Sequence, residues 1–365
     1  MSSTSYHLLG RSGLRVSPLA LGTMTFGTEW GWGSPRDTAH RILARYLERS
    51  GNFIDTADGY TQGTSEKIIG DYFQSAGGRD RAVIATKFSL GSTPGDPNSG
   101  GTGRKNVYRA LEGSLRRLHT DYVDLLWLHA WDGITPVEEV MAAFSELVRA
   151  GKVRYVGLSD VPAWYFARAQ TLAEREGLPR VVGLQLEYSL VERNVEREHV
   201  PAALHLGAGV VAWSPLGSGI LTGKYTRTGT APQGEGRLPA LAASGNPGFT
   251  KLFTERNWTI VDALVAAARE LGKPPAQVAL SWTLRRPGVA ALIIGATRPE
   301  QLEINLDAAE LVLPEPVTHR LEEVSRPERV HPYHFFEEPF FTGMQSGGTK
   351  VRAEPEWFRP ADLRT

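Results

Sequence analysis

Along this chain, short apolar runs alternate with longer stretches whose apolar residues recur at helical spacing. Eight runs read as strands: residues 19–23, 53–56, 82–87, 123–129, 154–158, 181–186, 210–213 and 289–294. The fourth, VDLLWLH, is almost continuously apolar, as a strand covered on both faces must be. Helical periodicity predicts helices at 38–49, 65–74, 107–118, 136–149, 162–176, 195–206, 250–271, 275–285 and 299–309, with Gly51 and Gly151 among their stops and Pro136 at a first turn. A strand–helix pair repeated in this way predicts an α/β fold, a closed parallel (β/α)8 TIM barrel, ahead of any two-domain plan. Residues 6–9 and 14–18 flank a glycine-bounded turn and predict a β-hairpin before the barrel. Segments 91–103 and 216–246 are dense in Gly, Pro and Ser and are expected to be long inserted loops. The proline- and aromatic-rich segment 314–365 is expected to be a C-terminal tail packed on a barrel core of about 19–310. With no break in composition to mark a linker, one domain is expected over 1–365.

Composition narrows the function without naming it. Lys and Arg number 40, as do Asp and Glu, and no block of like charge occurs, so neither nucleic acid nor a membrane surface is an expected partner. An anionic ligand therefore needs a local site. Cysteine is absent, which removes thiolate nucleophiles, disulfides and Cys-ligated metals. The opening MSSTSYHLLGRSG has no cationic stretch followed by an apolar core, and the expected location is cytoplasmic. His331, His334, Glu337 and Glu338 crowd one segment, but HPYHFFEE lacks a helical metal-binding spacing and is interrupted by proline, so no metal is expected.

Barrel enzymes build their sites from the carboxyl ends of the strands. Here the second run leads to Asp55, the third ends in Lys87 and the fourth in His129, while Tyr60 lies on the loop after Asp55. Singly, each has a bland reading: a helix cap, a surface lysine, a core histidine, a surface phenol. Jointly those readings fail. Lys87 is one of only eight lysines, and it ends an apolar strand, where its charge would face a barrel mouth beside Asp55.

GTMTFG (22–27), FIDTADGY (53–60), VIATK (83–87), DLLWLH (124–129), VGLSD (156–160), QLEYS (185–189), WSPLGSG (213–219) and IIGATRPEQLEINL (293–306) together resemble the aldo-keto reductases, in particular the bacterial members related to potassium-channel β subunits. The likeness runs in order over roughly residues 6–310. It implies NAD(P)H-dependent reduction of an aldehyde or ketone to an alcohol by hydride transfer, with a tetrad of Asp55, Tyr60, Lys87 and His129. In that scheme Tyr60 donates a proton to the carbonyl oxygen, and the Lys87 ammonium lowers a phenol pKa that is otherwise about 10. Asp55 holds the ammonium, and His129 hydrogen-bonds the substrate oxygen.

No GxGxxG follows a strand, so a dinucleotide would not sit in the Rossmann manner. By the same resemblance, the cofactor contacts include Gly22, Thr23, Met24 and Asp55; Ser159, Asp160 and Gln185 hold the nicotinamide carboxamide, and Trp213 stacks on its ring. The family usually has asparagine where this chain has Asp160, and an ionised aspartate can only accept hydrogen bonds. Ser214, Pro215, Leu216, Gly217, Ser218, Gly219 and Leu221 are expected along the pyrophosphate, and Gly295, Arg298, Gln301 and Asn305 around the adenosine ribose. Arg298 near a helix amino terminus suits a 2′-phosphate. Many members carry a basic residue in place of Gly295 and an arginine in place of Gln301, so the expected preference for NADP(H) over NAD(H) rests on Arg298. Trp30, Phe88, Trp131 and Tyr188 are candidate walls for a small-molecule carbonyl substrate. A homo-oligomer is compatible with all of this. Two other functions share these residues: a ketoreductase dedicated to a keto-sugar or natural-product intermediate, and a cofactor-binding regulatory subunit.

Overall fold

A computed structural model describes residues 5–234, 237–243, 250–337 and 339–349. The hairpin forms as expected, β1 (His7–Leu8) pairing antiparallel with β2 (Arg15–Val16). The apolar runs become β3 (Leu19–Gly22), β4 (Phe53–Asp55), β5 (Val83–Phe88), β6 (Val123–Leu128), β7 (Val153–Ser159), β8 (Val181–Glu187) and β9 (Gly209–Trp213). After a two-stranded ribbon in the long insertion, β10 (Thr226–Thr228) with β11 (Ala231–Gln233), the last barrel strand is β12 (Val289–Gly295). The eight barrel strands pair in parallel in the order β12-β3-β4-β5-β6-β7-β8-β9 and close, with Gly295 opposite Gly22 at the seam. Helices α1 (Arg36–Glu48), α2 (Thr64–Ala76), α3 (Arg104–Leu118), α4 (Val137–Arg149), α5 (Ala163–Glu176) and α6 (His199–Leu206) follow their strands, and Glu255–Leu271, Pro275–Leu284 and Pro299–Leu306 complete the outer layer. This is the (β/α)8 barrel.

Side chains alternate between the two faces of each strand. Ala20, Phe53, Val83, Ala85, Leu125, Trp127, Val211 and Ala291 point inward and form one buried cluster, to which Leu9 and Val16 of the hairpin also belong. Leu19, Leu21, Ile54, Ile84, Leu126 and Leu128 point outward and pack under the helices. Trp127 fills the barrel only because two neighbours lack side chains: a Cβ at Gly157 would stand 2.2 Å from its ring, and one at Gly183 2.9 Å.

Within the expected tail, Glu315–Ser325 forms a helix that packs on Glu255–Leu271 and is tied down by Arg193, which donates to the Glu322 carboxylate (2.5 Å) and to Ser325 Oγ (2.8 Å). Within the expected tail and insertion, residues 235–236 and 244–246, Glu338 and residues 350–365 lie outside the described residues.

Candidate active site

The alternation that buries Phe53, Ala85, Trp127 and Val211 carries the next inward position of each strand to the carboxyl-end mouth: Asp55, Lys87, His129 and Trp213. Lys87 and Asp55 are each 1% exposed. The Lys87 ammonium spends all three protons: on Asp55 Oδ1, on the carbonyl of Thr56 at 2.8 Å, and on the Tyr60 hydroxyl at 3.1 Å. The other Asp55 oxygen accepts from Gln185 Nε2 at 2.8 Å. Tyr60 reaches in from a turn whose next two residues, Thr61 and Gln62, are left-handed (φ 46° and 57°), and Thr61 pins the turn by donating to the carbonyl of Phe26 at 2.7 Å. His129 stands edge-on to Tyr60, ring centroids 5.9 Å apart.

Electrostatics follow from this burial. Desolvation opposes the Lys87 charge, yet the Asp55 carboxylate and the Tyr60 phenol carry its pKa above the ordinary lysine value. Burial raises the Tyr60 phenol, and Lys87 pulls it down without overcoming that burial. The expected lowering is therefore present as a contribution but not as the net result, and Tyr60 retains its proton at neutral pH. Burial and the nearby Lys87 push His129 down to about 3, so the imidazole is neutral, and its buried Nδ1 has no hydrogen-bond partner among the described residues.

Around this group lie several of the residues expected to hold a cofactor. Ser159 is 1% exposed, and its hydroxyl has no hydrogen-bond partner among the described residues. It pairs in register with Gln185, whose carbonyl accepts from the Asp160 amide at 3.3 Å. Asp160 takes a left-handed backbone (φ 46°), and its Oδ1 accepts from Trp213 Nε1 at 3.1 Å. Ser214, Gly217, Ser218 and Gly219 all have positive φ, forming a tight, partly open turn after β9. Met24 and Gly295 are exposed, and Asn305 Nδ2 reaches the carbonyl of Gly295 at 3.4 Å. Arg298 occupies the N-cap of Pro299–Leu306, exposed and without an acidic partner among the described residues.

Three of the expected substrate walls turn away from the mouth. Phe88, one residue past Lys87, faces the opposite side and packs on Phe144. Tyr188, one residue past Glu187, is likewise buried under the helices, and its hydroxyl donates to Glu196 at 2.6 Å. Trp131 turns away into an outer cleft of about 430 Å³ with Trp164 and Tyr165. Leu221 is core, Pro215 is buried, and Gly22 has no room above it, since a Cβ there would meet Ile293 at 2.5 Å. Thr23 is fully buried, donating to the carbonyl of Asp55 and accepting from Ser65. Gln301 is committed to its own helix start, its Oε1 accepting from Thr297 N at 2.9 Å. Of the four proposed walls only Trp30 stands at Tyr60, centroids 6.4 Å apart, backed by an unanticipated Trp32 at 5.5 Å. The Thr56 carbonyl and Trp127 also went unforeseen. Both act through three-dimensional neighbours that no local motif announces.

The sequence model described as the aldo/keto reductase family matches residues 18–326. The chain is 37% identical over 329 residues to the uncharacterized oxidoreductase YrpG of Bacillus subtilis, covering 87% of this chain and 95% of that one. It is 33% identical over 314 residues to the aryl-alcohol dehydrogenase (NADP(+)) of Phanerodontia chrysosporium, covering 82% and 80%. A probable voltage-gated potassium channel subunit beta of Oryza sativa is 35% identical over 340 residues, covering 90% and 99%. Among the described residues, no helix is long and apolar enough to cross a membrane.

Proposed function

The chain belongs to the aldo/keto reductase family, and on that premise we propose that it is an NADPH-dependent oxidoreductase that reduces an aldehyde or ketone to the alcohol, with Tyr60 as proton donor. The observation that carries this reading is the convergence of a fully engaged Lys87 on Asp55, the Thr56 carbonyl and the Tyr60 hydroxyl, beside a neutral His129.

The residues present fit a nicotinamide cofactor. The buried, unpartnered Ser159 hydroxyl can donate to a carboxamide oxygen, while Asp160 and the free oxygen of Gln185 can accept from its nitrogen. Trp213 offers a ring face, the turn 214–219 a close backbone approach, and Arg298 an uncommitted guanidinium for a 2′-phosphate. When bound, the reduced nicotinamide supplies the hydride.

As charge develops on the carbonyl oxygen, Tyr60 gives up its proton to it, and Lys87 stabilises the phenolate that remains. Lys87 keeps its charge throughout because Asp55 holds it. His129, neutral and offering no competing charge, orients the substrate oxygen by donating a single hydrogen bond. Trp30 and Trp32 supply an apolar wall that favours a flat carbonyl substrate and excludes water.

NADPH oxidation followed against a panel of aromatic and aliphatic aldehydes tests the reading. Turnover well above the substrate-free rate supports it. Tight nucleotide binding with no turnover on any carbonyl would instead favour a cofactor-binding regulatory protein, a reading prompted by the channel-subunit name of the rice relative.

A further inference from the structure

Asp160 is a carboxylate in a setting with no cation to spare. Among the described residues, its one side-chain hydrogen-bond partner is the neutral indole N–H of Trp213, at 3.1 Å. The cations whose fields reach it are engaged elsewhere: Lys87 with Asp55, and Lys251 with Glu187 at 2.5 Å and Glu192 at 3.7 Å. The remaining ionisable neighbours, Glu187 and Tyr60, are acidic or neutral. Asp160 is exposed on one side, and partial desolvation by the protein around it pushes its carboxyl up to about 6. One residue away, the Ser159 hydroxyl is buried without a hydrogen-bond partner among the described residues. The two groups, a free hydroxyl that donates and a carboxylate without a cationic partner that only accepts, complement a primary carboxamide whose ring bears a positive charge.

We propose that Asp160 is a specificity-determining residue for the redox state of the cofactor, favouring the oxidised nicotinamide over the reduced form. The inference rests on the function proposed above. A pyridinium ring is cationic and a dihydropyridine ring is not, so an unpaired carboxylate beside the carboxamide stabilises one and is indifferent to the other. An asparagine at the same place would make the same hydrogen bond to the carboxamide nitrogen without that distinction. A ligand shifts an equilibrium only by its differential interaction with two states; here the protein does so for the two forms of its ligand. The consequence is an on-enzyme balance displaced toward the oxidised nicotinamide and the alcohol, the direction of carbonyl reduction, relative to an asparagine-bearing site.

The test is equilibrium titration of wild type and Asp160→Asn with NADP+ and NADPH, read by quenching of protein fluorescence. Asparagine tolerates the left-handed backbone of this position, so the fold is retained. At mildly alkaline pH the variant should bind NADP+ on the order of tenfold more weakly, the scale of one unit-charge interaction across solvent-wetted protein, with NADPH little changed. In wild type alone, the ratio of the two dissociation constants should move toward the variant's as pH falls through about 6 and the carboxyl protonates. Titration of the nucleotide's own phosphates is common to both forms and cancels in that ratio. A ratio that Asp160→Asn leaves unmoved, or equal weakening of both forms, overturns the inference while leaving the cofactor reading intact. Failure of wild type to bind either nucleotide overturns both.

Discussion

Lys87→Met isolates the charge at the centre of the site. Methionine keeps much of the lysine stem's volume but leaves the Asp55 carboxylate, 1% exposed, with Gln185 Nε2 as its one remaining side-chain hydrogen-bond donor among the described residues. Removing one member of a buried ion pair typically costs roughly 3–5 kcal/mol, because the survivor is left charged and desolvated. We expect about 3 kcal/mol, at the low end, since Gln185 still donates. The pH dependence follows from two shifts. The folded-state pKa of Lys87 lies above its ordinary 10.5, so the stability that its charge contributes in wild type is present below 10.5 while Asp55 stays ionised and is lost on the alkaline side only as pH climbs through the folded value. Burial drives Asp55 above its ordinary 3.8, and without Lys87 nothing comparable opposes that rise. The variant's penalty is then present at neutral pH and fades as pH falls through the raised value toward 3.8. Urea unfolding of wild type, Lys87→Met, Asp55→Asn and the double variant, at neutral and mildly acid pH, measures all of this. The double variant should recover much of the loss, because it buries no unpaired charge. A single-variant loss below about 1 kcal/mol, a loss independent of pH, or a double variant as unstable as the sum of the singles would refute the buried-pair reasoning.

Three further outcomes are expected. Tyr60→Phe should lower turnover by about 10² to 10⁴ while leaving nucleotide affinity nearly unchanged, measured by steady-state kinetics alongside fluorescence titration; near-normal kcat would remove Tyr60 as the proton donor. Arg298→Ala should weaken NADPH binding by roughly 1.5–3 kcal/mol and NADH hardly at all, whereas equal losses would mean that the guanidinium serves the helix and not a phosphate. Gly157→Ala places a methyl 2.2 Å from the Trp127 ring and should destabilise by roughly 1–3 kcal/mol in thermal unfolding, a loss that Trp127→Phe in the same background should partly relieve.

The period-two rule explains both what was legible in the sequence and what was misread. Asp55, Lys87 and His129 were recognisable because each ends an apolar run in a residue too polar for the outer face. The same rule, applied one residue further, excludes Phe88 and Tyr188: whatever follows an inward Lys87 or Glu187 must face the helices, where Phe144 and Glu196 receive them. The helix Glu315–Ser325 was also open to reading, since Val317 and Leu321 stand four apart behind prolines that suit a first turn, but the proline content of the surrounding segment hid it. Leu221 and Gln301 are a different matter. One lies in irregular chain and the other caps its own helix through Thr297, and neither fate follows from a periodicity.

The support beneath the site was the least legible part, for a physical reason. Lys87 needs a third acceptor, and the Thr56 carbonyl supplies it because β4 has ended and its backbone has turned toward the mouth. Beneath the mouth lies Trp127, whose ring occupies the space that side chains at 157 and 183 would otherwise fill. In the sequence those two glycines are unremarkable residues of two different strands, 26 positions apart. Only closure of β6, β7 and β8 side by side makes them one cavity, and only Trp127 gives that cavity a purpose. A site carried on strand ends therefore announces its reacting groups locally, while the packing that holds those groups at hydrogen-bonding distance is written across strands.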